Sequence, residues 1–134
     1  MRKFAVAILL AGSMLAFAQS KETPRRIDFT QVMVDLDNQP ILRSLEPKQA
    51  LTLGYVASSS LYVLLPSEQQ LKGVEKKEFN DRVDKLARKV YRCKSCVLTA
   101  DEITLIEEHV RFNYQSPLIE VQARDLLDPA EAAK

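Results

Sequence analysis

An amphipathic repeat in residues 75–92 limits the fold more than any other feature of the sequence. Its apolar side chains recur at i, i+4, i+7 and i+11, which is the spacing of one face of an α-helix. They are Phe79, Val83, Leu86 and Val90. Acid-before-base pairs at i, i+4 occupy the other faces, and each adds only about 0.2 to 0.5 kcal/mol to an isolated helix. Burial of the apolar stripe against the rest of the chain must therefore hold this helix in place.

Three further helices are predicted from caps and apolar spacing. One covers residues 52–65, although Gly54 and three consecutive serines lower its propensity. The next begins after Thr99, which has capping-box spacing with Glu102, and runs to about residue 113. The last begins at Pro117 after Ser116 and ends near residue 128.

The segment before these helices has strand character. Alternating residues from Ile27 to Val34, followed by turn chemistry and by Ile41 with Leu42, predict a small N-terminal β-hairpin. A lone hairpin needs a helix to pack on. The expected fold class is therefore mainly α (α+β), with a short hairpin packed on about four helices in a single small domain.

The first 18 residues have the pattern of a cleavable signal peptide. Arg2 and Lys3 precede an apolar run, and Ala16 and Ala18 place small residues where a signal peptidase cleaves. The run is shorter than the roughly 20 apolar residues that cross a bilayer, which argues against a retained anchor. We therefore expect export to the periplasm or the extracellular space. Residues 19–26 are predicted to be a flexible lead-in, 27–128 the domain, and 129–134 a disordered tail.

Charge and hydropathy narrow the classes of partner. Cleavage of 18 residues from a chain of 134 leaves 116, and the loss of two positive charges changes the formal net charge from +1 to −1. A nucleic-acid-binding domain normally carries an excess of positive charge, so we expect no nucleic acid. The mature chain has no second apolar run long enough to span a membrane. The predicted partner is a protein, and the oligomeric state is left open.

Cys93 and Cys96 form the only motif with redox or metal chemistry. In an exported protein two cysteines usually pair, and closing so short a loop would stabilise the fold by about 2 kcal/mol. The alternatives are a redox-active pair and a metal site shared with a second molecule, because four ligands are needed and the chain adds only His109. The sequence therefore favours a structural disulfide between the two cysteines.

No catalytic constellation is visible in the sequence. His109 is expected to be a half-exposed helix residue near Glu107 or Glu108, with no nucleophile marked beside it. Phosphate loops, metalloprotease motifs and nucleophile elbows are absent, so no cofactor, no metal site and no enzymatic activity are predicted.

The tyrosines are the candidates for partner contact. They are Tyr55, Tyr62, Tyr91 and Tyr114, each beside apolar helix positions that also suit a core role. Tyr55 and Tyr62 are singled out because they lie in the most apolar segment of the mature chain. If that segment were exposed, it would favour a binding surface.

The order of the segments resembles that of small, uncharacterised accessory proteins of tailed phages and prophages. The residues that carry the resemblance are Ile27-Asp28-Phe29-Thr30-Gln31-Val32, Asp35-Leu36-Asp37-Asn38-Gln39-Pro40-Ile41, Leu51-Thr52-Leu53-Gly54, Leu98-Thr99-Ala100-Asp101-Glu102-Ile103 and Ser116-Pro117-Leu118-Ile119. The resemblance implies no catalytic residues, and the signal peptide and the cysteine pair depart from it. The leading function is thus an exported, non-enzymatic interaction or structural module. The alternatives are a thiol-disulfide redox protein and a phage-derived assembly factor.

Overall fold

The computed structural model of the chain describes residues 23–129. The predicted signal peptide and most of the predicted tail lie outside this range. The elements follow in the order β1 (Arg25–Asp28), β2 (Leu42–Leu45), β3 (Lys48–Ala50), α1 (Leu53–Leu61), a 3₁₀ turn (Glu68–Gln70), α2 (Gly73–Arg92), β4 (Ser95–Leu98), α3 (Ala100–Asn113) and α4 (Pro117–Leu127). The predicted fold class, a mainly helical α+β domain with about four helices, is confirmed.

Helix α1 is the centre of the domain and contacts both α2 and α3. Seven of its nine residues are buried, which agrees with its apolar composition and its few charges. Gly54 lets the helix approach its neighbours closely, because a Cβ there would lie 3.1 Å from the carbonyl oxygen of Phe29 and 3.2 Å from that of Val90. The core around α1 also contains Met33, Leu98, Ile106 and Leu127.

The predicted stripe on α2 faces this core. Val83, Leu86, Ala87 and Val90 are buried, and Phe79 is partly buried against them. Helix α3 begins with the predicted capping box, in which Thr99 Oγ1 accepts from the Glu102 amide and the Glu102 carboxylate accepts from the Thr99 amide. Local signals in the sequence therefore set both the position and the buried face of these helices.

Two small antiparallel sheets replace the single predicted hairpin. β1 pairs with β4, so that Arg25 lies opposite Leu98 and Ile27 opposite Cys96, and β2 pairs with β3. The strand predicted over residues 27–34 instead begins at Arg25 and ends at Asp28. It ends there because the Asp28 carboxylate accepts hydrogen bonds from the amide and the hydroxyl of Thr30, which turns the chain.

The helix predicted over residues 52–65 ends at Leu61. Thr52 caps its start by accepting from the Tyr55 amide, as the sequence suggests. Beyond the helix, the Leu65 amide donates to the carboxylate of Glu68 at 2.9 Å instead of extending the helix. Among residues 23–129, no helix combines the length and the apolar character needed to cross a bilayer.

Candidate functional site

Tyr55 and Tyr62 lie at the same surface cleft, between α1 and α2. They are seven residues apart, two turns of a helix, so α1 presents both on one side. Tyr91 and Arg92, on the last turn of α2, form the opposite wall with Arg88. The cleft has a volume of about 380 Å³ and is floored by small side chains, Ser58, Ser59 and Ala87. We call it the tyrosine–arginine cleft.

The aromatic rings of this cleft are open to solvent to an unusual degree. Tyr62 is 56% exposed and Tyr91 is 60% exposed, whereas Tyr55 is half-buried. Rings of this size normally lose most of their surface to a core. Three of the four tyrosines predicted from the sequence as candidates, Tyr55, Tyr62 and Tyr91, lie in this cleft, and Arg88 and Arg92 were not predicted.

A hydrogen-bonded chain fixes two of these side chains. The Tyr62 hydroxyl donates to Asp84 Oδ1 at 2.7 Å, and Arg88 Nε donates to Asp84 Oδ2 at 2.9 Å. Hydrogen bonding from Tyr62 and then from Arg88 lowers the pKa of the Asp84 carboxyl below its ordinary value. The hydrogen bond to the Asp84 carboxylate raises the pKa of the Tyr62 hydroxyl, and the same carboxylate raises the pKa of Arg88. At neutral pH the cleft therefore holds a neutral phenol beside a charged guanidinium.

The cleft carries positive charge. The Arg43 guanidinium of β2 lies 4.4 Å from the centre of the Tyr55 ring, in a cation–π arrangement. Within residues 23–129, Arg92 makes no ion pair. Of the carboxylates in the described part of the chain, none lines the cleft, and Asp84 at its edge is already engaged by Tyr62 and Arg88. A ligand would thus meet tyrosine faces and arginine donors without an opposing acid.

The two cysteines lie at one end of the cleft helix. Cys93 directly follows Arg92 and ends α2, while Cys96 is buried in β4. They are joined by a disulfide across a Cα–Cα distance of 6.0 Å. The bond ties the last turn of α2 to the strand that pairs with β1.

His109 is not the half-exposed helix residue that the sequence predicts. It is fully buried, with Nδ1 2.8 Å from the Leu105 carbonyl oxygen and Nε2 2.8 Å from Glu68 Oε1. Glu107 and Glu108, the predicted neighbours, are on the same helix, but the partner comes from the 3₁₀ turn 41 residues earlier. Because His109 lies beside Val110 and three residues after Ile106, both buried, its place on the core face could have been read from the sequence.

This buried pair is separate from the cleft. His109 is fully buried, Glu68 is only 9% exposed, and neither residue lines the tyrosine–arginine cleft. In the described range, no cluster of three or more His, Cys, Asp or Glu side chains is arranged to hold a metal ion.

Searches with family models, among curated proteins and among solved structures each gave no match to this chain. The resemblance to phage accessory proteins therefore stays a prediction. A functional assignment has to rest on the chemistry of the cleft.

Proposed function

We propose that the chain is an exported, non-enzymatic interaction module whose tyrosine–arginine cleft binds an acidic segment of a partner protein. The observation that carries this proposal is that Tyr62, Tyr91 and Arg92, all exposed, lie in one concave surface, and that no carboxylate of residues 23–129 lines it. Tyrosine and arginine are the residues that dominate the energetic centres of protein interfaces.

Charge complementarity selects the class of segment. Arg92 offers a planar guanidinium group that matches a carboxylate, and no ion pair within residues 23–129 balances its charge, whereas the charge of Arg88 is balanced by Asp84. Arg43, over the ring of Tyr55, adds positive charge at the other side. A basic segment would instead be repelled by Arg43 and Arg92.

Preorganisation supports binding by this surface. Tyr62 and Arg88 are held by Asp84 before a ligand arrives, so less side-chain freedom is lost on association. The small side chains Ser58 and Ser59 leave room for the backbone of an extended segment.

The position of the disulfide favours a structural role over redox catalysis. Catalytic thiolates are stabilised at the amino-terminal end of a helix, where the dipole is positive. Cys93 lies at the opposite end of α2, and Cys96 is buried. A persistent disulfide also suits the oxidising compartment that the signal pattern predicts.

Selection from a random peptide display library tests this proposal. The wild-type mature protein should enrich peptides rich in Asp and Glu. A variant with Tyr91→Ala and Arg92→Ala should lose about 2 kcal/mol or more of binding free energy for those peptides, because both exposed anchors are removed. The variant with Lys76→Ala and Lys77→Ala is the matched control, since it removes two exposed side chains from another part of α2.

Enrichment of basic or purely apolar peptides would contradict the proposal, as would equal binding by the cleft variant and the control. Thermal unfolding of each variant, followed by circular dichroism, separates a lost contact from a lost fold.

A further inference from the structure

A second groove lies on the other flank of α2, between that helix and α3. It has a volume of about 640 Å³. At 100° per residue, Arg82, Lys85 and Lys89 fall on one side of the buried stripe of α2, whereas Tyr91 and Arg88 fall on the other. The groove is therefore a separate site from the tyrosine–arginine cleft.

The two walls of this groove carry opposite charges. Arg82 and Lys85 stand on α2, and Asp101 and Glu108 stand on α3. The floor is apolar, formed by Leu86 and Leu105 together with the aliphatic stems of the basic residues.

Only one end of the groove is closed by an ion pair. Lys89 Nζ lies 3.5 Å from Glu102 Oε2 and also donates to the Val97 carbonyl oxygen at 3.0 Å. Further along, within residues 23–129, Arg82 and Lys85 form no ion pair with Asp101 or Glu108. The charges thus line an open channel with an apolar floor.

We infer that this groove binds a short amphipathic helix of a partner protein, with acidic side chains along one flank and basic side chains along the other. The apolar face of that helix would cover Leu86 and Leu105. Its acidic flank would pair with Arg82 and Lys85, and its basic flank with Asp101 and Glu108. Residues 82 to 89 span about 10 Å along the axis of α2, which matches the length of two turns of the incoming helix.

The inference does not depend on the function proposed for the tyrosine–arginine cleft. A partner helix with like charges on both flanks would meet repulsion from one wall. The two walls therefore select for mixed charge as well as for an apolar face.

Fluorescence anisotropy with two designed peptides of about 15 residues provides the test. Both carry leucine along one face; the mixed peptide has Glu on one flank and Lys on the other, and the basic peptide has Lys on both. The mixed peptide should bind the wild-type protein more tightly than the basic peptide does.

Charge reversal of one wall provides the sharper comparison. In the variant with Arg82→Glu and Lys85→Glu, the affinity for the mixed peptide should fall by about tenfold or more, and the affinity for the basic peptide should rise. The variant with Lys76→Glu and Lys77→Glu makes the same change in net charge outside the groove and should bind both peptides as the wild type does.

The variant with Tyr91→Ala and Arg92→Ala should also bind the mixed peptide normally, which separates this groove from the cleft. Failure of the mixed peptide to bind the wild-type protein would overturn the inference. So would equal loss of affinity in the wall variant and in its charge-matched control.

Discussion

The imidazole of His109 lies between two hydrogen-bond acceptors. A backbone carbonyl oxygen can only accept, so Nδ1 carries a proton that it donates to Leu105. The second contact, from Nε2 to Glu68, then needs a proton on the ring or on the carboxyl group. Because both ring nitrogens and the carboxyl group have hydrogen-bond partners, these two polar side chains can be buried in the core.

Glu68 makes a second contact, so it should contribute more to the stability of the fold than its place in a loop suggests. Its Oε1 also accepts from the Leu65 amide, so one carboxylate satisfies both the buried histidine and the chain leaving α1. Removing it would leave a buried ring nitrogen and a partly buried amide without this partner, and an orphaned buried group costs about 1 to 3 kcal/mol.

We therefore predict that Glu68→Ala lowers the free energy of unfolding by about 2 to 4 kcal/mol. Glu78→Ala, on the exposed face of α2, is the matched control and should change it by no more than about 0.5 kcal/mol. Urea denaturation followed by circular dichroism measures both. Similar, small effects of the two substitutions would show that the pair contributes little to stability.

At the scale of elements, the end of α2 connects the sheet to the tyrosine–arginine cleft. Its last turn carries Tyr91 and Arg92, the next residue is Cys93, and the disulfide leads to β4 and so to β1. Arg25 of β1 in turn forms an ion pair with Asp128 at the end of α4. The short sheet is thereby joined to the ends of two helices, α2 and α4.

Replacing both cysteines by alanine should lower the free energy of unfolding by about 2 kcal/mol, the value expected for closing so short a loop. The wild-type protein in dithiothreitol should lose a similar amount, and the double variant should not respond to the reductant. Denaturation with and without reductant measures the effect. A wild-type protein that is equally stable in both conditions would argue against a structural role for the bond.

At the scale of the whole molecule, the helices were predictable and the sheet pairing was not. The stripe from Phe79 to Val90 and the capping box at Thr99 are local signals, read within one or two helical turns. The pairing of Ile27 with Cys96 joins segments that are 69 residues apart in the sequence (96 − 27). Strand β4 has only four residues, and its alternation of buried Cys96 and Leu98 with exposed neighbours is too short to separate from a loop.

The candidate site, too, was predictable only where its residues lie close together in the sequence. Tyr55 and Tyr62 could be picked out because both lie in or directly after one apolar helix. Tyr91 and Arg92 could not be joined to them, since only the packing of α2 on α1 brings the two helices together. The core position of His109 could be read from Ile106 and Val110, but its partner Glu68 could not, because Glu68 lies in a polar connection that carries no periodicity.

We propose that the tyrosine–arginine cleft is the surface of this chain that binds acidic segments. The most direct measurement is a titration of the ¹⁵N-labelled mature protein with an acidic peptide from the display selection, followed by amide chemical shifts. We predict that the largest shifts cluster at Tyr55, Tyr62, Tyr91 and Arg92 and shrink when salt is added, because the contacts are charged. Shifts confined to another surface, or none at saturating peptide, would contradict the claim.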